Sequence, residues 1–469
     1  MRRSTRLLLV CALAAAVPAT ALGAQRMWVG FQDDPSFRWR EDRGYMLDRA
    51  RDHNASIVRT TVYWSRVAPV RPANAADPFD PAYRWDDLDE FVRGAQRRGL
   101  ETMLTIWGTP GWANGGKGQN RAPANLADLT AFARALATRY SGRYPGLPFA
   151  RFFTVWNESN LEQFLAPTFD TRGKPVAPFV YAKLYRAAYA GIKAGSPQAL
   201  VGIGETSPRG RDRLSPSPGR LQNTLSPGLF ARLLSTVRPK LRFDAWSHHP
   251  YSELGRPPTQ RVRFPNVNLT QLKQFERSLD TWFGRTNIPI WITEYGHETK
   301  PGEPKGVTAP QQAAYMQQAL AIARDDRRVQ VFVWFIFRDD ETSTWQSGLL
   351  GRDGTEKPAS NAFAGLAKLL DARNPIVTVS AGVNPVLRIP VLELAARSGV
   401  GAAVGCTLRV FNSGKLIGVS QPQSTIAVDG WASFPVPIRT QAGGRYSVTF
   451  EIGDANGNKV VRSASIVVP

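Results

Sequence analysis

Phe152-Phe153-Thr154-Val155-Trp156 is a short run of aromatic and β-branched residues that breaks off into the polar tetrad Asn157-Glu158-Ser159-Asn160. A run so short and so uniformly apolar predicts a strand covered on both faces, as in a parallel sheet. Working outward from it, the same unit recurs eight times: a strand-like run, then a longer segment with helical spacing of its apolar residues. The predicted strands are Met27–Gln32, Ser56–Tyr63, Glu101–Trp107, Arg151–Trp156, Leu200–Glu205, Phe243–His248, Pro289–Thr293 and Val329–Phe335. Helices are predicted near Tyr45–His53, Trp85–Arg98, Asn125–Tyr140, Tyr181–Ala194, Pro227–Val237, Leu269–Phe283, Ala309–Arg324 and Asn361–Asp371. Strict alternation implies parallel neighbours, because a parallel pair needs a crossover that a helix supplies. Eight such units predict a closed (β/α)₈ TIM barrel, an α/β fold, over residues 25–372. An open doubly wound sheet usually carries a glycine-rich phosphate turn after its first strand. Here that turn reads Gly30-Phe31-Gln32-Asp33-Asp34.

After Asn374-Pro375 the periodicity changes to two, as in Thr407-Leu408-Arg409-Val410-Phe411 and Tyr446-Ser447-Val448-Thr449-Phe450, with hairpin turns at Asn412-Ser413-Gly414 and Asn456-Gly457. Residues 373–469 are therefore expected to form a small β-sandwich of Ig-like type. At the other end, Arg2, Arg3 and Arg6 precede an apolar run from Leu7 to Val17 and small residues around Ala24. That layout predicts a signal peptide over residues 1–24, and hence a secreted, extracellular protein. No later stretch holds 18 uninterrupted apolar residues, so no membrane span is expected in the mature chain. With Cys11 in the leader, Cys406 is the one thiol left, which excludes an internal disulfide or a cysteine-built metal site.

The net charge of +21 invites a nucleic-acid reading. Arg supplies 47 of the 59 basic residues, scattered with Asp and Glu between them, so a binding stripe for nucleic acid is not expected. Two segments after the fifth and sixth strands do concentrate positive charge: Arg209, Arg211, Arg213 and Arg220, then Arg256, Arg261 and Arg263. They are the best hint of an acidic glycan as partner, although general arginine richness explains them about as well.

Reactive groups of a (β/α)₈ barrel sit at the C-terminal ends of its strands. The fourth strand delivers Glu158 to its mouth and the seventh, Pro289-Ile290-Trp291-Ile292-Thr293, delivers Glu294. Strands four and seven lie nearly opposite in a ring of eight, so the two carboxyls can face each other across a sugar. That is the pair glycosidic cleavage requires, one acid for the leaving oxygen and one carboxylate for the anomeric carbon or a water. No cofactor and no metal is expected: His248 and His249 are adjacent and point apart, His-Glu-x-x-His spacing is missing, and neither a phosphate loop nor a Gly-x-Ser-x-Gly elbow occurs.

These motifs resemble glycoside hydrolase clan A, the retaining enzymes of family 39 and family 5 cellulase-like type, over residues 27 to 372. The resemblance implies an O-glycosyl hydrolase with Glu158 as acid/base, Asn157 on the sugar 2-hydroxyl and Glu294 as nucleophile. It further implies Arg59 in Val58-Arg59-Thr60 beside the nucleophile, keeping it ionised. His249 and Tyr251 in His248-His249-Pro250-Tyr251 are implied to reach the same carboxylate, and Trp334 in Val333-Trp334-Phe335 to floor the sugar site. Trp107, at the end of the third strand, is a further expected sugar contact. Ser159 stands where the clan commonly has proline, a departure that touches the stiffness of the turn and not the chemistry of Glu158. Two other readings stay open on sequence alone, a catalytically inactive glycan- or cell-wall-binding barrel and a transglycosylase.

Overall fold

The computed structural model describes residues 27–467 except 145, 216–221, 342–344, 371–375, 384–389, 398–401, 422, 427–433, 436–444 and 455–458. The expected leader, Arg220 and the turn at Asn456-Gly457 lie outside the described residues. Eight strands close a parallel barrel in sequence order: β1 (Trp28–Gln32), β2 (Ile57–Tyr63), β3 (Glu101–Trp107), β4 (Phe152–Val155), β5 (Leu200–Thr206), β6 (Ala245–His248), β7 (Ile290–Tyr295) and β8 (Val329–Phe335). The ring shuts where β1 pairs with β8, Trp28 opposite Val331 through Gln32 opposite Phe335. At Gly30 the backbones come so close that a Cβ would sit 1.6 Å from the Ile57 carbonyl oxygen, which only glycine permits.

The crossover helices are Arg43–Asp52, Asp86–Arg97, Leu126–Arg139, Ala177–Gly195, Pro227–Ser235, Leu272–Phe283, Ala309–Arg324 and Pro358–Leu370. Local chemistry starts and stops them. Asn125 caps Leu126–Arg139 by accepting from the Ala127 N–H, and Thr308 with Gln311 forms a reciprocal capping box ahead of Ala309–Arg324. Period-two alternation along the strands divides the apolar side chains into two layers. Ile57, Met103, Phe152, Ala245, Trp291, Val331 and Val333 fill the lower barrel, while Val58, Leu104, Phe153, Phe332 and Trp334 pack outward against the helices.

Beyond residue 375 the chain forms two antiparallel sheets, β9 (Ile376–Val383), β10 (Pro390–Arg397) and β14 (Phe434–Pro435) in one, β11 (Ala402–Asn412), β12 (Lys415–Ser420), β13 (Gln423–Ile426), β15 (Arg445–Asp454) and β16 (Lys459–Val467) in the other. The turn expected at Asn412-Ser413-Gly414 joins β11 to β12, with Ser413 and Gly414 at φ 48° and 80° as a tight hairpin demands. Among the described residues no helix is long and apolar enough to cross a membrane.

Candidate active site

At the C-terminal ends of the strands a cavity of about 710 Å³ opens, with Asn157, Glu158, Tyr251, Glu294 and Phe335 in its wall. β4 ends in a turn in which Trp156 and Glu158 both take positive φ, 68° and 35°. Such backbone is costly for non-glycine residues and persists where surrounding contacts over-determine it. Here the buried Trp156 indole donates to the Phe164 carbonyl at 2.7 Å, and Asn160 ties the turn to the segment after β5 through Ser207 and Leu225. The turn thereby presents Glu158 to the cavity while Ser159 is buried beneath it.

Arg59 rises from the middle of β2 on the inward face, fully buried. Its Nη1 donates to Glu294 Oε1 at 2.7 Å, its Nη2 to Glu205 Oε2 at 2.7 Å and to Asn157 Oδ1 at 3.3 Å, and its Nε to Thr105 at 2.9 Å. Gln32 holds the same guanidinium from β1. His249 follows β6, with Nδ1 3.0 Å from Glu158 Oε1 and 3.5 Å from Glu294 Oε2, and Nε2 3.1 Å from Glu205 Oε2. The Tyr251 hydroxyl donates to Glu294 Oε2 at 3.2 Å.

Burial by itself would lower the pKa of His249, but Glu294, Glu158 and Glu205 around the ring outweigh it and raise the pKa to about 10. The ring is therefore an imidazolium donating from both nitrogens. Burial would raise Glu205, yet Arg59 and His249 reverse the sign and hold it low. Glu294 goes the other way: burial raises its pKa, opposed by His249 and Arg59. The expected pairing of Arg59 with Glu294 is present and acts to lower this pKa, while desolvation of the carboxyl is the larger effect. Donor atoms of Glu158, His249 and Glu294 lie within 4.8 Å of one another, close enough to share an ion. Two carboxyls bridged by one imidazole, with Arg59 bonded to the second, also make a set suited to acid–base and nucleophilic work.

A family model described as Cellulase (glycosyl hydrolase family 5) matches residues 22–337. The chain belongs to glycosyl hydrolase family 5. No curated protein sequence matches it. Among solved structures, a family 39 glycoside hydrolase from the gut symbiont Bacteroides cellulosilyticus WH2 is similar with a TM-score of 0.52 at 18% identity, over 88% of this chain and 79% of that one. A GH5_18 protein from Streptomyces cattleya in complex with GlcNAc gives 0.51 at 16%, over 75% and 82%. A variant of it in complex with Manb1-4GlcNAc gives 0.52 at 17%, over the same shares. Families 5 and 39 are both clan A, and this chain is a clan A glycoside hydrolase.

In the hydrolase, Glu158, Glu294, Asn157, Arg59, His249 and Tyr251 come together in one network. Two expected sugar contacts do not. Trp334 is fully buried in the outer layer, its indole N–H donating to the Ser347 carbonyl at 2.8 Å. Val331 and Val333 point into the barrel, so the next residue along the strand points out, and Phe335 lines the cavity in its place. Trp107 stands one layer back, its indole directed to the Phe164 carbonyl at 3.3 Å and its ring edge-on to Tyr63, while Tyr63 and Phe164 form the wall. Trp345 also lines the cavity, whereas Trp64 and Tyr295 are core.

Sequence reasoning passed over Glu205, although it closes the predicted fifth strand just as Glu158 and Glu294 follow theirs. It also passed over Asp33, whose carboxylate accepts N–H groups of Ser36, Phe337 and Arg338 and so latches the β1 and β8 ends together. Burial raises this carboxyl to about 6, against those hydrogen bonds.

Proposed function

We propose that this hydrolase cleaves an O-glycosidic bond of a poly- or oligosaccharide with retention, by double displacement. Glu294 attacks the anomeric carbon while Glu158 protonates the departing oxygen; Glu158 then takes a proton from the water that releases the sugar from Glu294. The observation that carries the reading is the separation. One carboxylate oxygen of Glu158 and one of Glu294 lie within 4.8 Å of each other, which matches the close pairing of about 5–5.5 Å between carboxyl groups for a nucleophile in contact with the sugar better than the roughly 6.5–9.5 Å that an intervening water needs. Asn157, anchored by Arg59 through its Oδ1, lines the cavity as a partner for a sugar hydroxyl, and Phe335 offers an apolar face to the ring.

Among the described residues the wall carries Asp33, Asp34, Glu158, Glu253, Glu294, Glu298 and Asp340 against a single guanidinium, Arg209, which is already paired with Glu253 at 2.8 Å. The sugar held between the glutamates is accordingly read as uncharged. Arg211, Arg213, Arg256, Arg261 and Arg263 are exposed on the rim, and acidic residues of a longer glycan would meet them there. Export through the 1–24 leader completes this reading, because the substrate is then a glycan outside the cell. Proton NMR of the first-formed product from aryl glycosides and a polysaccharide panel tests the mechanism: retained configuration is expected, and inverted configuration would overturn it.

A further inference from the structure

β5 shifts its register against β6 at the cavity end: Gly204 lies opposite Ser247 and Thr206 opposite His248, which leaves Glu205 as the extra residue of a bulge. Gly204 takes φ 106° and Glu205 φ 45°. A Cβ on Gly204 would approach Trp246 to 2.7 Å and the Ser247 carbonyl oxygen to 2.9 Å, so the bulge needs glycine beside it. Bulges next to active sites re-aim side chains, and this one turns a carboxylate inward. Glu205 is fully buried and forms no part of the cavity wall. It therefore does not touch a bound sugar, and double displacement as proposed gives it no step.

Burying a third carboxylate is costly unless it is paired and hydrogen-bonded. Glu205 Oε2 accepts from Arg59 Nη2 and from His249 Nε2. Each donor has a second arm, Arg59 Nη1 on Glu294 and His249 Nδ1 on Glu158 with Glu294 just beyond. Both arms are aimed by the bonds behind them. We propose that Glu205 is the positioning residue of the site, fixing Arg59 and His249 so that their remaining N–H groups point at Glu294 and Glu158. The proposal rests on the reading of those two glutamates as the reacting pair. The groups facing the cluster are Gln32 from β1, Arg59 from β2, Thr105 from β3, Asn157 and Glu158 after β4, His249 and Tyr251 after β6, and Glu294 in β7; its formal charges are three carboxylates against two cations. With Glu294 and Glu158, Glu205 is one of three anions that keep His249 protonated, and the one bonded to Nε2.

The test compares wild type, Glu205→Gln and Glu205→Asp by steady-state kinetics and by imidazole NMR of His249 across pH. Glu205→Gln keeps shape and removes charge, so kcat should fall at least about tenfold with KM within about twofold, as for lost partners of reacting groups. The His249 titration midpoint should drop. Glu205→Asp keeps the charge but shortens the reach, so the midpoint should stay high while kcat falls. A wild-type kcat or an unmoved His249 midpoint in Glu205→Gln would overturn the proposal. Should Glu205→Gln not fold, Glu205→Asp with wild-type kcat would overturn it instead. Wild type inert on every glycoside would defeat the reading of the reacting pair, and the His249 midpoint would still decide on Glu205.

Discussion

Two groups of buried carboxylates occupy opposite ends of this barrel, and they are held very differently. At the mouth, Glu205 is fully enclosed, yet its pKa is lowered, because a guanidinium and an imidazolium stand within 3.1 Å. At the base, Glu276 on helix Leu272–Phe283 sits beside Asp326 and Arg328, which immediately precede β8. Among the described residues, Glu205 and Glu276 each have Oε1 buried without a hydrogen-bond partner, but Oε2 of Glu276 has as its cation only Arg328, whose Nε lies 3.7 Å away. Burial, reinforced by Asp326, pushes Glu276 up to about 8. Depth of burial therefore does not set the sign of the shift. The balance between burial and nearby cations does: two cations at hydrogen-bond distance lower Glu205, whereas at Glu294, with Arg59 alone that close, burial still prevails. Only the mouth cluster adjoins the cavity.

If the mouth cluster is the reacting centre, its substitutions should dominate. Glu294→Gly leaves no nucleophile, and turnover should fall on the order of 10⁴-fold or more. Added azide should restore cleavage of activated aryl glycosides and yield the inverted glycosyl azide, read by NMR. Restoration without azide would break the assignment. Glu158→Ala should be milder and selective, losing about 10²–10⁴-fold on substrates with poor leaving groups, the usual contribution of a positioned acid. On aryl glycosides with activated leaving groups the first step should survive; uniform loss across leaving groups would argue that Glu158 serves some other purpose.

The same contrast explains what could be read from sequence. The barrel was legible because eight apolar runs alternate with eight helical segments, a pattern fixed by backbone pairing and independent of detail. Glu158 and Glu294 were legible because each follows an otherwise apolar strand. Trp334 was misplaced by a single residue, since period two makes every second side chain face the helices and periodicity does not say which. Glu205 stayed hidden because a bulge, a matter of one unpaired residue, decides whether it faces inward. The neighbours of Glu276 are some 50 residues away in the chain, and nothing local announces them.

The smallest expected effect belongs to the base. Between the unfolded value near 4.5 and the folded value of about 8, the native state keeps a proton on Glu276 that the unfolded chain has released. Stability should then fall as pH rises through that window, being fully present below about 4.5. His249 gives a second decline, because its folded pKa of about 10 also lies above its ordinary 6.5; its contribution is complete below 6.5 and lost as pH climbs through 10. Glu276→Gln mimics the protonated acid and removes only the first decline. Thermal unfolding at pH 8 should show the variant more stable than wild type by on the order of a few °C, with the difference vanishing near pH 4. Its kcat should match wild type, because Glu276 has no contact with the cavity. A variant less stable at pH 8, or one with altered kcat, would show that the base cluster is held by interactions of the kind found at the mouth and would remove the contrast between them.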